Sequence, residues 1–536
     1  RAKSPNQFYY YIGSEVESAF DPVVGKEVPT SSRAFKPRKE NVALFEAIAK
    51  RANAKTPLDD VQIRFFHSWA SSKHRIQSYD AKTNTVLLTG GARWTFSKWG
   101  DGKLRYEIEG IPEALDAPGE FLLSRDGTLE YIPRPGETLE TSRFVAPDGP
   151  KTFDETGFLR ITGDIDGIKL DKNFSSDSPK LVRNISIEGI RFTCDPFTLP
   201  PEGLSSGQAA TGLPSSIYVE AACNIVFRKC KISHTSGYAI WFHRACQSCI
   251  AQECWMDDMA GGGVRIGTHL NGDDVAPELI TKRIRVVDNI IHGYGRVEAS
   301  AIGVWIGHAA DNEVLHNEIS DGFYTGISAG WVWGYAPSPA TGNKIMFNHI
   351  HDIGQGVLSD MGGFYSLGIS PGTVVSNNVI HDVYSYNRYG RGGWGLYTDE
   401  GSSNIVFENN LVYRVHTGTI HQHYGKDNIF RNNILALSLD GQLIRSRDEA
   451  HRSFTIENNI ILWDQGPLLN SNKGFAVSNE RFLLKNNLYW FAGKPETDEE
   501  KEGKFFLGKT LAQWQQEGND LGSRVADPGF VDPQHG

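Results

Sequence analysis

Two acidic side chains stand beside glycine clusters in the middle of the chain. Asp360 precedes the tripeptide Met-Gly-Gly, and Asp399 follows the run Gly-Gly-Trp-Gly-Leu-Tyr-Thr, with Glu400 directly after it. Glycine leaves room for a ligand to reach the backbone. Two carboxylates that flank one glycosidic bond can hydrolyse it, because one donates a proton while the other attacks or activates water. We therefore predict Asp360 and Asp399 as catalytic residues, with Glu400 as a second candidate at the same place. The alternative is that both aspartates only cap turns.

Aromatic and histidine side chains gather around these acids in the sequence. Trp and Tyr rings stack on the C–H faces of sugars, while carboxylates and amides bond to the hydroxyl groups. Arg391, in an insertion beside the second acid, can pair with the carboxylate of a uronic acid, or it can be a merely exposed loop residue. The predicted substrate-binding residues are Trp305, His308, Trp331, Trp333, Tyr365, Arg391, Trp394, Tyr397, His421 and His423.

A repeat of 23 to 32 residues must position these side chains. Its most regular mark is an asparagine followed by a short apolar strand. The repeats carry β-branched residues with Gly and Asn turns and lack both a leucine-rich consensus and long amphipathic helices, which indicates a solenoid of strands. Two earlier copies carry Cys230 and Cys254 instead of asparagine. The aligned asparagines are Asn289, Asn317, Asn348, Asn378, Asn410, Asn433, Asn459 and Asn487.

These repeats predict an all-β fold, a right-handed parallel β-helix over residues 180–490. Asn tolerates the left-handed conformation that the turns need. Coils stacked about 4.8 Å apart also allow Asn side chains at equivalent turns to form a hydrogen-bonded ladder. Such a core is filled with aliphatic side chains, so function must lie on an outer face.

Counting back from the aligned asparagines gives two candidate columns on the strand before each turn. Because side chains alternate along a strand, one of the two columns points outward. Eleven residues back lie Ile306, Leu367, Asp399 and Gln422, and twelve residues back lie Trp305, Ser366, Thr398 and His421.

Three further segments surround the predicted β-helix. Residues 1–60 contain a helix-like stretch at 40–54 and match no pattern that places them. Residues 61–179 indicate a β-rich module packed on the first coils, with a hairpin around Asp126-Gly127. Residues 491–536 include a short helix from Leu511 and are expected to cap the far end, because a solenoid needs both ends covered.

Composition limits the partners. The 536 residues carry 54 Lys and Arg against 64 Asp and Glu, a net charge of −10, which argues against a nucleic-acid-binding protein. No apolar run approaches the roughly 18 residues of a membrane span. We expect a monomer with an oligosaccharide or polysaccharide substrate. The chain shows no signal peptide, and a polymer substrate suggests export to the periplasm or the cell exterior.

No cofactor or metal is predicted, although three donor sets invite one. Four cysteines suffice for a structural zinc site, but stacked core cysteines are expected at these repeat positions. Three histidines suggest a metal, yet no carboxylate at fixed spacing completes the set. Two acidic pairs suggest calcium, although solvated acidic loops are commoner. The sets are Cys230, Cys246, Cys249 and Cys254; His416, His421 and His423; and the pairs Asp257-Asp258 and Asp273-Asp274.

Several of these stretches resemble β-helical glycoside hydrolases. They are Asp-Met-Gly-Gly-Phe-Tyr-Ser-Leu-Gly at 360–368, Asn-Asn-Val-Ile-His-Asp-Val at 377–383, Gly-Gly-Trp-Gly-Leu-Tyr-Thr-Asp-Glu-Gly-Ser-Ser at 392–403, the segment 121–136 and Ala-Asp-Pro-Gly-Phe at 526–530. The chain is most similar to glycoside hydrolase family 141, and more distantly to family 120, over most of residues 119–530. The resemblance implies a carbohydrate-active enzyme with two acids on the helix face, which map to Asp360 and Asp399. Family 141 includes an α-L-fucosidase acting on complex pectin and a xylanase.

We therefore expect a glycoside hydrolase acting on plant cell-wall polysaccharide, and favour an exo-α-L-fucosidase on complex pectin of the rhamnogalacturonan-II type. Long loops at 330–341 and 384–393 would close the face into a pocket, whereas a xylanase would need an open cleft. A xylanase or β-xylosidase on the same scaffold is the alternative within this class. Two alternatives lie outside this class. One is a polysaccharide lyase, which needs a Lys, Arg or His base; Lys426 and Arg391 are near, and His421 lies in the column twelve residues before the asparagines, where no Lys or Arg does. The other is a non-catalytic glycan-binding β-helix.

Overall fold

The structure is a computed structural model that describes residues 1–53, 57–100, 102–138, 140–147, 157–170, 175, 177–269, 276–386, 392–470, 474–475 and 480–532. The chain forms two compact units. The first comprises Arg1–Thr156 with Pro196–Leu213, and the second comprises Gly157–Asp195 with Pro214–Gly536. The first sixty residues thus share a unit with the β-rich region that follows them, and the solenoid begins earlier than residue 180.

The second unit contains three long sheets of parallel strands, each built from one strand per coil. In its described residues, sheet 1 has ten strands, sheet 2 has eleven and sheet 3 has twelve. The predicted all-β solenoid is confirmed. Sheet 1 consists of Leu159–Thr162, Ser215–Glu220, Tyr238–Phe242, Val264–Ile266, Val304–Ile306, Ile327–Ala329, Met361–Ser366, Gly393–Thr398, Gly418–Gln422 and Leu443–Arg445.

Sheets 2 and 3 complete each coil. Sheet 2 consists of Val182–Glu188, Ala222–Arg228, Ile250–Gln252, Arg285–Val287, Glu313–Leu315, Lys344–Met346, Val374–Ser376, Val406–Glu408, Asn428–Arg431, Phe454–Glu457 and Leu483–Lys485. Sheet 3 consists of Arg191–Thr193, Lys231–Thr235, Trp255–Met259, Ile290–His292, Glu318–Ser320, His349–Ile353, Val379–Val383, Leu411–Val415, Ile434–Ala436, Ile460–Trp463, Leu488–Phe491 and Arg524–Val525. Two short parallel pairs, Thr281–Lys282 with Ala309–Ala310 and Ser402–Ser403 with Gly425–Lys426, lie between the strands of sheet 1 and those of sheet 2.

Stacked apolar side chains fill the interior of the coils. Residues in register on successive strands of sheet 1 are almost wholly buried, and burying such side chains is the main favourable term in folding. The stack also includes aromatic rings, since Phe407 and Phe430 of sheet 2 lie parallel with centroids 4.5 Å apart. The sheet 1 stack is Val304, Ile327, Phe364, Leu396, Ile420 and Leu443.

An asparagine ladder runs along the turn between sheets 2 and 3. Each aligned Asn donates from Nδ2 to Oδ1 of the next at 2.9–3.1 Å, from Asn289 through to Asn487, which confirms the predicted ladder. The left-handed backbone falls on the residue before each ladder position, with φ between 54° and 60°. That preceding residue is itself Asn in five of the eight turns. The sequence therefore supplies asparagine pairs in which one member forms the turn and the other forms the ladder.

Replacing Asn378 by alanine is expected to lower the free energy of unfolding by about 2 kcal/mol or more, since several buried polar groups lose their partner. Its amide donates to Asn410 Oδ1 and to the Ile345 carbonyl, and its Oδ1 accepts from the side chain of Asn348. Chemical denaturation of both variants measures the difference. Asn377→Gly is the matched control, because glycine adopts the left-handed φ of 55° at this neighbouring position. Equal stability of both variants would contradict a stabilising ladder.

The first unit is a barrel-like β module. Its strand Arg105–Glu109 pairs along both edges and so closes the sheet. The helix Val42–Arg51 lies within the predicted helical stretch, and the predicted hairpin forms with Gly127 at φ 84°. The strands are Lys3–Ser4, Tyr10–Glu15, Ala34–Pro37, Gln62–Phe66, Ser71–Asp80, Thr85–Leu88 and Arg105–Glu109, with the hairpins Ser18–Asp21/Lys26–Pro29 and Phe121–Leu123/Leu129–Tyr131.

The remaining helices belong to the second unit. Ile165–Lys169 precedes the first strand of sheet 2, whereas Asp498–Lys501 and Leu511–Gln516 follow the last full coil. Each of the latter two begins at a threonine whose hydroxyl accepts from the third backbone N–H, in a capping box. After them, Arg524–Val525 adds the final strand of sheet 3. None of the described helices has the length and apolar character that crossing a membrane requires.

Candidate active site

One outward column of sheet 1 carries the aromatic face. Trp305, Ser328, Tyr365, Tyr397 and His421 are in register on successive strands. Counting twelve residues back from the aligned asparagines had put Ser366 and Thr398, the residues after the two tyrosines, in this column. That alignment was wrong. The coils of Tyr365 and Tyr397 have one more residue between strand and ladder asparagine than those of Trp305 and His421. Ser366 and Thr398 are buried side chains in the neighbouring column.

Asp399 lies at the end of strand Gly393–Thr398 and is only partly accessible. Its Oδ2 accepts a hydrogen bond of 2.6 Å from the hydroxyl of Tyr365, which is fully protonated at neutral pH because burial raises the pKa of Tyr365 well above its usual value. Burial and the negative charge of Asp360 raise the pKa of Asp399 from 3.8 to about 7, against the opposing effect of the Tyr365 hydrogen bond. Asp399 therefore keeps a proton under conditions where an ordinary aspartate has lost it.

Asp360 lies just before the strand Met361–Ser366 and is buried. It adopts a left-handed backbone with φ 61°, which Asp tolerates better than most residues. Its Oδ1 accepts a 2.9 Å hydrogen bond from Tyr397, whose hydroxyl also acts to lower the pKa of Asp399. One phenolic hydroxyl thus neighbours both predicted catalytic acids, although the two start at opposite ends of adjacent strands.

Glu400 points to a different neighbour. Its carboxylate accepts a 3.1 Å hydrogen bond from Tyr424, and its charge contributes to the raised pKa of Asp399. Its backbone carbonyl accepts from the amides of Gly334 and Gly368, which ties the acid to two adjacent coils. The side chain is partly exposed, so Glu400 borders the pair as a third carboxylate.

The glycines beside the acids serve packing. A Cβ at Gly363 would lie 2.3 Å from the side chain of Ile380, and a Cβ at Gly395 would lie 2.2 Å from that of Val412. Both contacts are far inside van der Waals distance, so these positions exclude every residue with a side chain. The predicted role of these two glycines, making room for a ligand, is therefore replaced by close packing of sheet 1 against the core.

A compact aromatic cluster supports the acids. Trp394 lies 4.4 Å from Tyr397 and 4.1 Å from His421, measured between ring centroids, and His421 stacks on Tyr397 at 4.7 Å. His421 and His423 both hydrogen-bond to the hydroxyl of Ser446, at 2.9 and 2.8 Å. Trp394, Tyr397 and His421 are at most 5% exposed, so this cluster fixes the orientation of Tyr397.

The predicted tryptophans differ in what they can contact. Trp305 and Trp331 are 0% and 2% exposed, whereas Trp333 is 49% exposed and meets Trp331 edge-on. His308 contacts the carbonyl of Trp331 through Nε2 at 3.1 Å and is buried with it. Trp333 is therefore the tryptophan of this group with substantial ring surface for a sugar, while the others support it. Arg391 lies outside the described residues.

Sequence inspection missed two tyrosines, Tyr324 and Tyr424, and one acid, Glu449, at this site. Tyr324 donates to the backbone carbonyl of Asp360 at 2.8 Å, and Tyr424 holds Glu400. Tyr335, in the loop 330–341, donates to Glu449 and contacts His451 at 3.2 Å, so that loop is fastened to the segment after the last strand of sheet 1. The Asp-Gly-Phe-Tyr stretch at 321–324, one coil before the similar stretch at 360, was the available signal for Tyr324.

The cysteines that suggested a zinc site in the sequence have partners within the protein. The thiols of Cys246 and Cys249 are buried and contact backbone carbonyls at 3.3 and 3.4 Å, and burial raises the pKa of both. Cys254 occupies the position of a ladder asparagine, since its amide donates to Asn289 Oδ1. Among the described residues, neither the cysteines nor the three predicted histidines bring three donor atoms within 4.8 Å. Asp273-Asp274 lies outside the described residues.

The raised pKa of Asp399 predicts how stability depends on pH. Because the folded state holds this proton more tightly than the unfolded chain, the free energy of unfolding should fall as pH rises from about 4 to about 7. Asp399→Asn removes this dependence, so the variant should be more stable than wild type at pH 8 and equal to it near pH 4. Thermal unfolding across this range measures it, with the exposed Asp427→Asn as control. A constant difference at all pH values would contradict the raised pKa.

Comparisons with known proteins bear on the fold. A family model described as "Right handed beta helix region" matches residues 215–363. The solenoid is a right-handed parallel β-helix. A solved structure described as a glycoside hydrolase is 18% identical with a TM-score of 0.56, over 88% of this chain and 78% of that chain. No protein of curated function matches significantly.

Two further solved structures are more distant. A GH136 lacto-N-biosidase from Eubacterium ramulus is 10% identical with a TM-score of 0.39, over 51% of this chain and 50% of that chain. XylC in complex with xylose is 13% identical with a TM-score of 0.37, over 65% of this chain and 53% of that chain.

Proposed function

We propose that the protein is a glycoside hydrolase in which Asp399 is the general acid and Asp360 the second carboxylate. The observation that carries the proposal is the acid pair itself: two carboxyl groups share the neighbouring hydroxyl of Tyr397, and one of them retains its proton to about pH 7. Acid-assisted glycoside cleavage requires a carboxyl group that keeps its proton near neutral pH, beside a second carboxyl group. The fold shared with a solved glycoside hydrolase supports the same class.

The proton transfers follow from these contacts. Asp399 gives its proton to the glycosidic oxygen as the C–O bond breaks, which leaves a carboxylate stabilised by the hydroxyl of Tyr365. Asp360, oriented by the hydroxyl of Tyr397, attacks the anomeric carbon or removes a proton from the attacking water. Because the hydroxyls of both tyrosines are buried and protonated, they orient the carboxylates without competing for the proton.

We propose an exo-acting enzyme on complex pectin, with α-L-fucose as the favoured terminal sugar. The contact between Tyr335 and the segment of Glu449 and His451 supports a face bounded at one side, as a pocket for a chain end requires. The sequence resemblance to family 141 is the basis for choosing fucose. We also propose that the enzyme acts in the periplasm or outside the cell, where a polymer of plant cell walls is accessible.

A panel of glycosides tests both the proposed reaction class, glycoside hydrolysis, and the proposed sugar, fucose. Aryl glycosides, pectin oligosaccharides and xylan oligosaccharides are incubated with the enzyme, and products are separated by chromatography. Released fucose supports the full proposal. Released xylose or xylo-oligosaccharides keep the hydrolase and replace the substrate. Products with a new ultraviolet absorbance would identify a lyase, and saturable glycan binding with no product would contradict an enzyme.

A further inference from the structure

Three histidines converge on the outer face of sheet 3, which does not carry the acid pair. His351 and His381 are register partners on adjacent coils, and His349 lies two residues before His351 on the same side of the strand. The Nε2 atoms of His349 and His381 lie 2.8 Å apart. One ring nitrogen from each histidine lies within 4.8 Å of the other two. In the part of the chain that the structure describes, this is the group of His, Cys, Asp or Glu side chains that has the spacing of metal ligands.

Carboxylates hold two of these rings from behind. Nδ1 of His351 contacts Asp352 at 2.7 Å, and Nδ1 of His381 contacts Asp382 at 2.6 Å. Asp382 is fixed in turn by Arg414, whose guanidinium donates to both of its oxygens at 3.1 and 2.7 Å. A carboxylate on Nδ1 sets the tautomer and leaves the Nε2 lone pair for a ligand, as in carboxylate–histidine–metal arrangements.

The backbone gives the two His-Asp pairs the same orientation on adjacent coils. Asp352 and Asp382 occupy equivalent left-handed corner positions, with φ of 51° and 53°, directly after their histidines. Each His-Asp pair therefore presents the same geometry on successive coils. Glu318, one coil earlier and in register with His349, places a carboxylate oxygen 3.7 Å from Nε2 of His351.

We propose that His349, His351 and His381 bind one divalent transition-metal ion of the zinc class on the outer face of sheet 3. Three imidazoles form a donor set that suits zinc, with metal–nitrogen distances of about 2.0–2.1 Å. The ion would join two consecutive coils and stabilise the solenoid.

The sequence analysis predicted no metal because the donors lie in separate repeats. His349 and His351 come from one coil and His381 from the next, thirty residues later, so no compact motif marks them. Ring stacking alone would also align these histidines, since His351 and His381 lie parallel at 5.2 Å and Tyr413 continues the stack at 4.7 Å. Stacking does not require the His349 Nε2 atom to turn toward His381, whereas a hydrogen bond between the two nitrogens and a shared metal ion both do, and the binding experiment below distinguishes them.

The test is binding of Zn²⁺ to tag-free, chelator-treated full-length protein. Isothermal titration should give about one ion per chain, with at least a tenfold loss of affinity in His349→Ala and in His381→Ala. His292→Ala is the matched control, because His292 occupies the same sheet 3 column two coils earlier and is bonded to Ser320. Thermal unfolding of the metal-free variants shows that they fold, and Zn²⁺ should raise the unfolding temperature of wild type and His292→Ala only.

Two results would overturn the site. One is the absence of saturable binding by wild type at micromolar Zn²⁺. The other is unchanged affinity and stoichiometry in both His349→Ala and His381→Ala, which would place the ion elsewhere. Because the histidines lie on a different sheet from Asp360 and Asp399, glycosidase activity is expected to stay unchanged in these variants, so the outcome is independent of the proposed function.

Discussion

Replacing Asp399 by asparagine is expected to lower kcat/KM by about 10²–10⁴-fold on a glycoside with a poor leaving group. Asparagine can still accept the hydrogen bond from Tyr365, but it has no acidic proton for the departing oxygen. On an aryl glycoside whose leaving group needs no protonation, the loss should be much smaller. Wild-type kcat/KM should fall as pH rises through about 7, where Asp399 loses its proton, and this alkaline limb should vanish in the variant.

Glu400→Gln provides the matched comparison for this acid. Its carboxylate is held by Tyr424 and acts on Asp399 through its charge, so its removal should move the alkaline limb to lower pH while keeping it. Steady-state rates on both glycosides across pH 4–9 separate the two residues. An alkaline limb that persists in Asp399→Asn and disappears in Glu400→Gln would assign the proton donor to Glu400 instead.

Replacing Asp360 by asparagine is expected to lower kcat on both kinds of glycoside, by about 10³-fold or more, because the second carboxylate is needed whatever the leaving group. Asparagine tolerates the left-handed φ of 61° and can accept the hydrogen bond from Tyr397, so the fold should persist. Added azide should restore part of the turnover on the activated aryl glycoside by replacing the missing nucleophile or base.

Asp427→Asn controls for the backbone effect of this change. Asp427 is an exposed aspartate with a left-handed φ of 53°, and its replacement should leave kcat unchanged. Full activity of Asp360→Asn would remove Asp360 from the mechanism. Loss of activity without azide rescue, together with a lowered unfolding temperature, would indicate that the residue supports the structure of the site.

Short-range sequence patterns predicted much of the fold. The asparagine repeat predicted both the solenoid and its ladder, because stacked parallel coils put one polar turn residue of each repeat in hydrogen-bonding reach of the next. The Asp126-Gly127 hairpin and the helix Val42–Arg51 also follow from short-range signals. Asp360 and Asp399 were predicted as catalytic because each stands beside a glycine cluster in the sequence.

Three features depended on the tertiary structure. One extra residue in two coils put Tyr365 and Tyr397 in the outward column, since strand register reflects chain length between ladder positions. Coverage by neighbouring loops left Trp305 buried and Trp333 exposed.

The raised pKa of Asp399 is the third feature that depends on the tertiary structure. Only the folded chain brings it near Asp360 and away from water, and that raises its pKa. By itself the sequence determined the repeat, its ladder and the residue types of the site. Which residues meet was decided by the stacking of coils, because contacts between residues thirty or more positions apart have no local signature.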